Sequence, residues 1–542
     1  MNKTKIPSNI DVSKIINKVE ELYNGTKSKT EIVNIKDCSF LLIHFLIPDS
    51  KYLEETKHDN YFKKIFSTIF NEKYGKTFSD VKAVLFDDAY PVIETDGTNY
   101  TDNRSTRYKL KDEFFFNQAT KLVEGTGKYI QKYNNYVKDK KQKNNQFQFL
   151  SDRLSKRITL DSAVYSYMSQ LFDEFETTIA TIDKSVYDAE KFKLTLKIIK
   201  LKFANDLENI ENGNYNDGTS MTNQRFNSVF TGLKRELRHF IRIDGELVDE
   251  IDATASQPYF LNRILTSEFF NGKKQGSLCF IFPELYKEFI SSKKKIKVDT
   301  HNLNYVWDVN TTNTTKFKSN ISEILNKGVP PVFYLSGKIE NICDIREFGS
   351  ILYLFDFYEF ILQDVKFMME QTNVQRKEIL KGRLSKIDRK HAKTGMMFFI
   401  NDKYHRNHNN FVKAMKTAYP NVNLIVEFLQ NIDFGSAELN KKFENPFSLL
   451  IQRIEAYHFL RIGVKGFCDR FENEPLITIH DSVIVKKSVS DEMRKCLHTF
   501  IEKETGIPMG LSTKAKNPFI TIKELVNEYL QECKVAKKVR LK

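Results

Sequence analysis

Residues 476–485 read LITIHDSVIV. Two apolar runs, Leu476 to Ile479 and Ser482 to Val485, flank the polar pair His480 and Asp481, and this predicts a β-hairpin with the pair at its tip. A carboxylate on so short a turn projects from a fixed backbone, which is how a hard cation such as Mg2+ is held against a substrate phosphate. Toward the N-terminus the pattern recurs: His239 to Ile243 and Glu246 to Asp252 are short alternating runs on either side of Asp244 and Gly245, a dipeptide favoured in two-residue hairpin turns. Asp252 closes the second run. Two such carboxylates, Asp252 and Asp481, can share two ions. Between the hairpins lie about 220 residues patterned mainly as helix. Within them RKHAKTGMMFF, residues 389–399, spaces Arg389, Lys393 and Met397 four apart, along one face of a helix whose cations suit a triphosphate.

Outward from this half, Leu150 to Asn209 shows the three- and four-residue apolar spacing of long helices through Phe192, Leu196, Ile199 and Phe203, and stops at the turn-rich Asn212 to Gly218. A Lys-rich run, Val137 to Gln146, marks a boundary. Before it, VKAVLF at Val81 to Phe86 reads as a strand, followed by Asp87, Asp88, Glu94 and Asp96. Those acids would suit a nuclease, but no second cluster completes a two-metal set, and Asp is common in turns for backbone reasons.

The chain of 542 residues has room for three or four structural units, and 41% apolar, 28% charged and 13% aromatic residues exclude a disordered or collagen-like protein. Lys and Arg number 84 against 70 Asp and Glu, a net charge of +14 that attracts polyanions, so nucleic acid is the first partner to expect; the other account is a Lys-rich, Asn-rich proteome. The six cysteines show no CxxC spacing, which argues against a disulfide framework or zinc knuckle and fits a reducing, cytoplasmic setting. The most apolar stretch, FLLIHFLIP at residues 40–48, is too short for a membrane helix, and the N-terminus lacks a secretory h-region, so no membrane partner is expected.

The order and spacing of these elements resemble motifs A, B and C of the family A DNA polymerases and their relatives, the single-subunit phage RNA polymerases. Asp252 to Tyr259 (DATASQPY) resembles motif A, Arg389, Lys393 and Met397 resemble motif B, and His480-Asp481-Ser482 resembles motif C. The resemblance spans about Arg225 to Phe519. It implies an α+β right-hand polymerase with an extra N-terminal α/β domain: residues 1–140 accessory, 141–222 thumb-like, 223–262 palm with motif A, 263–439 fingers and insertion, 440–530 palm with motif C, and 531–542 a basic tail. It implies catalysis by Asp252, Asp481 and Lys393, with two Mg2+ ions, or Mn2+, held by Asp252, Asp481 and the Ala253 carbonyl. Arg389, Lys393, Met397, Gln257 and Asn401 would meet the incoming nucleotide, Lys393 serving as general acid because Lys can release a proton and Arg cannot. Arg225, Lys234, Arg235, Arg238, Gln452 and His480 would meet nucleic acid, with Ser482 beside the primer end and Glu455 on the helix before motif C. Lys293 to Lys295 and the tail from Lys534 would track phosphates.

Two positions depart from the DNA-making pattern. Gln257 stands where those members carry Glu five residues after the motif A Asp, and Asn401 stands where an aromatic follows the motif B Arg by twelve. Met397 and Ser482 lean toward the RNA-making branch, but the chain is too short for that branch's promoter-binding domain, and residues 1–150 carry no proofreading DxE motif with its partners. The expected partners are a DNA primer-template, or RNA, with dNTPs or NTPs, and a small accessory protein. The chain resembles stand-alone polymerases of phages and mobile cassettes. Three functions stay open: a DNA-dependent DNA polymerase, a primase or RNA-synthesising polymerase of the same fold, and a non-catalytic nucleic-acid-binding relative.

Overall fold

Helical runs dominate the chain and its strands are short, and the computed structural model is accordingly a mixed α+β architecture with sheets of two to four strands. It describes residues 3–48, 63–64, 77–96, 107–116, 120–124, 145–271, 274–295, 348, 358, 389–401, 410–514 and 521–534. Most of the Lys-rich boundary run, most of the insertion before residue 389, the side chains of Lys293 to Lys295 and the tail beyond Lys534 lie outside the described residues. The chain forms two units, Met1–Gly218 with Ser228–Val248 and Lys516–Lys542, and Thr219–Asn227 with Asp249–Ala515. Among the described residues no helix is long and apolar enough to cross a membrane.

In the first unit β1 (Lys3–Pro7) pairs antiparallel with β5 (Thr120–Glu124), and β2 (Lys63–Lys64), β4 (Arg107–Leu110) and β3 (Ile93–Thr95) form a second sheet. Asp11 caps α1 (Val12–Tyr23), and Ser28 with Glu31 makes a capping box for α2 (Lys29–Leu46). The apolar run from Phe40 is the end of α2 and lies in the core.

The strand expected at Val81 to Phe86 is instead helical, part of α3 (Phe78–Leu85). Six residues of VKAVLF fit either period; the deciding residue is Phe78, which with Val81, Val84 and Leu85 completes one buried helical face. The acids nearby face cations: Asp87 pairs with Lys18 at 2.9 Å, Glu94 with Lys109 at 2.9 Å and Asp96 with Arg107 at 4.0 Å.

The long helices follow as expected, α4 (Ala163–Thr181) and α5 (Ala189–Glu211), the latter capped by Asp188 and burying Phe192, Leu196, Ile199 and Phe203. The helix Ile522–Gln531 lies against α4, with Tyr529 and Phe175 rings 5.5 Å apart. The Asp244-Gly245 turn forms, with φ of 53° and 77°, but its two arms do not make the expected hairpin. Pairing between them stops at a single bridge, Ile243 to Glu246, because β7 (Ile241–Ile243) takes β6 (Ile158–Leu160) as its antiparallel partner. Arg157 reinforces that choice by gripping the Asp244 carboxylate at 2.6 Å through both Nε and Nη2.

The second arm becomes β8 (Val248–Ala253), a strand of the second unit's sheet. That sheet runs β9 (Ile477–Ile479), β10 (Ser482–Lys486), β8, β11 (Leu511–Lys514). The hairpin expected at 476–485 forms as read, with Ile479 opposite Ser482 and His480 at φ 54°. The second unit's helices include α6 (Ser256–Ile264), α7 (Arg389–Asn401), α8 (Asn410–Ala418) and α9 (Pro446–Glu455), which continues as a π-helical stretch, Ala456–Val464; α6 and α7 both pack against α9. The π stretch runs into Lys465–Arg470 and lies along Ser490–Thr505, an approach that two glycines permit. A Cβ at Gly463 would stand 2.7 Å from Leu497, and one at Gly466 would stand 2.3 Å from the Phe500 ring.

Candidate active site

Sheet pairing brings the two aspartates together. The Ala253 N–H donates to the Asp481 carbonyl at 3.0 Å, so the hairpin tip sits beside the end of β8. On the other side Asp252 is in register with Ser512 of β11. Ala255, at φ 53°, then turns the chain sharply into α6. Ser482, expected beside a primer end, is buried in the sheet and donates to Glu250 and to the Ile479 carbonyl, both at 3.1 Å.

A third carboxylate belongs to the cluster. Glu455, at the C-terminal end of α9, is 1% exposed and accepts from Arg225 Nη2 and from Ser256 Oγ, each at 2.5 Å. Asp481 holds its proton up to a pKa of about 7, first because of burial, then through repulsion by Glu455 and Asp252; its own backbone N–H and Arg225 oppose the rise. Among the described residues no three His, Cys, Asp or Glu side chains are placed to hold a metal ion by themselves.

The shift has a pH signature with a fixed sign. A carboxyl whose folded pKa lies above its unfolded value near 3.8 stabilises the fold fully below that value and loses the contribution as pH rises through about 7. Buried His458 acts oppositely: burial lowers its pKa to about 4, so its contribution is present above 6.5 and lost as pH falls through 4. The two windows overlap, and a melting curve of the wild type alone would mix them. In metal-free buffer the difference in Tm between wild type and Asp481→Asn is expected to move steadily against the wild type from pH 4 to pH 8. A difference independent of pH would show that Asp481 titrates normally.

A loop is stapled to α9 beside this cluster. Arg453 Nε donates to the Thr222 carbonyl at 2.6 Å, Asn223 Nδ2 to Gln452 Oε1 at 3.0 Å, and Arg225 to Glu455, with Gln224 at φ 56° bending the loop between them. Arg453 is 2% exposed, sits 3.9 Å over the Phe282 ring and lies 3.6 Å from Glu284. The polar line continues up α9. Gln452 Nε2 donates to Ser448 Oγ at 3.1 Å, Ser448 donates to Asn401 Oδ1 at 2.5 Å, and Asn445 bonds the Asn401 carbonyl. The end of α7 is thereby tied to the start of α9, and Glu455 lies ~11 Å beyond Ser448 along that helix.

α7 is the helix that the spacing predicts. Ala392, Gly395, Met396, Phe399 and Ile400 are buried, and Arg389, Lys393 and Met397 share the exposed face. Its close fit to α8 requires Gly395, where a Cβ would stand 2.3 Å from the Phe411 ring. The Arg389 guanidinium lies 5.2 Å from the Tyr358 ring centroid. Gln257, in the first turn of α6, has a buried Oε1 with no hydrogen-bond partner among the described residues.

The expected nucleic-acid residues are spread more widely. Arg225, Gln452 and His480 belong to the second unit; Lys234, Arg235 and Arg238 belong to the first, where Lys234 lies over the Tyr529 ring at 5.4 Å and Arg238 donates to the Leu233 carbonyl at 3.1 Å. Arg453 and Ser256 were not anticipated as part of the site. The available signal was QRIE at residues 452–455, three polar residues inside an apolar helix. No protein-family model matches the chain, and no curated protein matches it.

Proposed function

We propose that the chain is a template-directed nucleotidyltransferase, a DNA-dependent DNA polymerase of a phage or mobile element with a right-hand palm, fingers and thumb. The observation that carries this reading is the 3.0 Å bond from the Ala253 N–H to the Asp481 carbonyl, which joins the end of β8, with Asp252, to the hairpin tip that bears Asp481. Burial, and after it repulsion by Glu455 and Asp252, keep a proton on Asp481; a hard cation relieves both, so the donor set fits Mg2+, which binds one or two carboxylates and completes its shell with water and substrate phosphates. Asp252 and Asp481 would hold the ions with the Ala253 carbonyl. When bound, the ions would lower the pKa of a 3′-hydroxyl and offset charge on the leaving pyrophosphate.

The chain's own groups supply the rest. Arg389 and Lys393 present two cations on one exposed face to a triphosphate, and Lys393 donates a proton to the departing pyrophosphate. Lys393→Ala is expected to lower kcat/KM for nucleotide by about a hundredfold and to leave primer-template affinity within about threefold. Equal losses in both would reduce α7 to a general electrostatic surface.

A second reading, a primase or RNA-synthesising polymerase, is favoured by Gln257, whose Oε1 has no partner among the described residues, and by Asn401, whose side chain is drawn to Ser448. Primer extension with dNTPs and NTPs offered separately, with and without primer, tests both. Incorporation in Mg2+ is expected, with ribonucleotides within about two orders of magnitude of deoxyribonucleotides in kcat/KM. Strong preference for dNTPs would remove the second reading, and no incorporation of either would remove both.

A further inference from the structure

Glu455 binds two segments from a third. The carboxylate at the end of α9 receives Arg225 from the loop 222–225 on Oε1 and Ser256 from the first turn of α6 on Oε2, each at 2.5 Å. The Arg225 side chain is 17% exposed, and its Nε is buried with no hydrogen-bond partner among the described residues, so the guanidinium depends on Glu455. A permanent cation close enough to act on Asp481 is a competitor for whatever cation that carboxylate is to bind. Asp481 feels both charges, Glu455 favouring its proton and Arg225 opposing it.

The geometry points to Glu455 as a positioning residue: it neutralises Arg225 and holds the guanidinium off Asp481, so that this cation does not oppose a divalent ion there. This rests on the metal-dependent reading above, but it concerns binding and can be read without synthesis. An unpaired Arg225 would act in full on Asp481, whose proton it already opposes, and resist a divalent ion there.

The test is Mn2+ binding to the full-length metal-free protein, followed by electron paramagnetic resonance of the free ion, with thermal melting in chelator to verify folding. Wild type is expected to bind and Asp252→Asn to lose that binding. Glu455→Gln is expected to weaken binding about tenfold or more, while Glu455→Gln combined with Arg225→Gln returns to within about threefold of wild type, because the freed cation is gone. Arg225→Gln alone, which leaves Glu455 with Ser256, is expected to bind at least as tightly as wild type, and this variant carries the test if Glu455→Gln does not fold. Wild-type affinity in Glu455→Gln, a double variant as weak as that single one, or weakened binding in Arg225→Gln would overturn the positioning role and leave the metal reading intact. Unchanged binding in Asp252→Asn would overturn both.

Discussion

Asp252→Asn and Asp481→Asn are each expected to lose nucleotide incorporation by about a thousandfold or more, while primer-template affinity stays within about threefold of wild type. Asn keeps the shape and removes the charge, so the sheet pairing that joins Ala253 to Asp481 survives, as it runs through backbone atoms alone. Affinity for a polyanion comes from many dispersed Lys and Arg contacts and is barely altered by one carboxylate. The two losses should also fail to add: on the proposed mechanism the residues would share their ions, so the double variant should be little worse than either single one. Salt-dependent binding and single-turnover extension on one template separate the terms. Retained synthesis in either variant would remove the aspartates from the chemistry and the polymerase reading with them.

Arg453→Ala is expected to destabilise the second unit by about 3 kcal/mol. The side chain is 2% exposed, bonds the Thr222 carbonyl at 2.6 Å and lies against Phe282 at 3.9 Å, so truncation leaves a cavity and an unsatisfied carbonyl together. Its partner Glu284 is 43% exposed and rehydrates readily, which keeps the loss below that of a fully buried ion pair. Lys should not rescue, because its single ammonium cannot stack on the ring and reach the Thr222 carbonyl in one geometry. Urea unfolding followed by a probe in the second unit measures the effect; a loss under about 1 kcal/mol would mean that Asn223 and Arg225 hold the loop without it. Freed at Thr222, the loop should also become the first site of proteolysis.

The parts of the site legible in the sequence are those fixed by short-range geometry. The apolar runs on either side of His480 and Asp481 pair with each other as their pattern predicts, and four-residue spacing puts Arg389 and Lys393 on one face whatever surrounds them. What was not legible depends on partners distant in sequence. The arms around Asp244 and Gly245 read as a hairpin because their alternation is local, whereas β6, some eighty residues earlier, decides where β7 pairs. VKAVLF read as a strand because six residues do not separate the two periods, and only Phe78 tips the balance. Glu455 could be placed on the right helix but not beside Asp481, since about 200 residues separate it from Ser256 and Arg225.

The sheet that carries the aspartates also fixes when they can meet during synthesis. β8 ends at Ala253, but its neighbours are Ser482–Lys486 on one side and Leu511–Lys514 on the other. At about 5–20 residues per second, β8 leaves the ribosome roughly 10–50 s before its last partner. During that interval it is a strand with two open edges, the form most prone to pairing with another nascent chain. The Asp252 side of the site therefore has to wait for nearly all of the second unit, and slow translation through the intervening helices would lengthen the period in which β8 must be shielded.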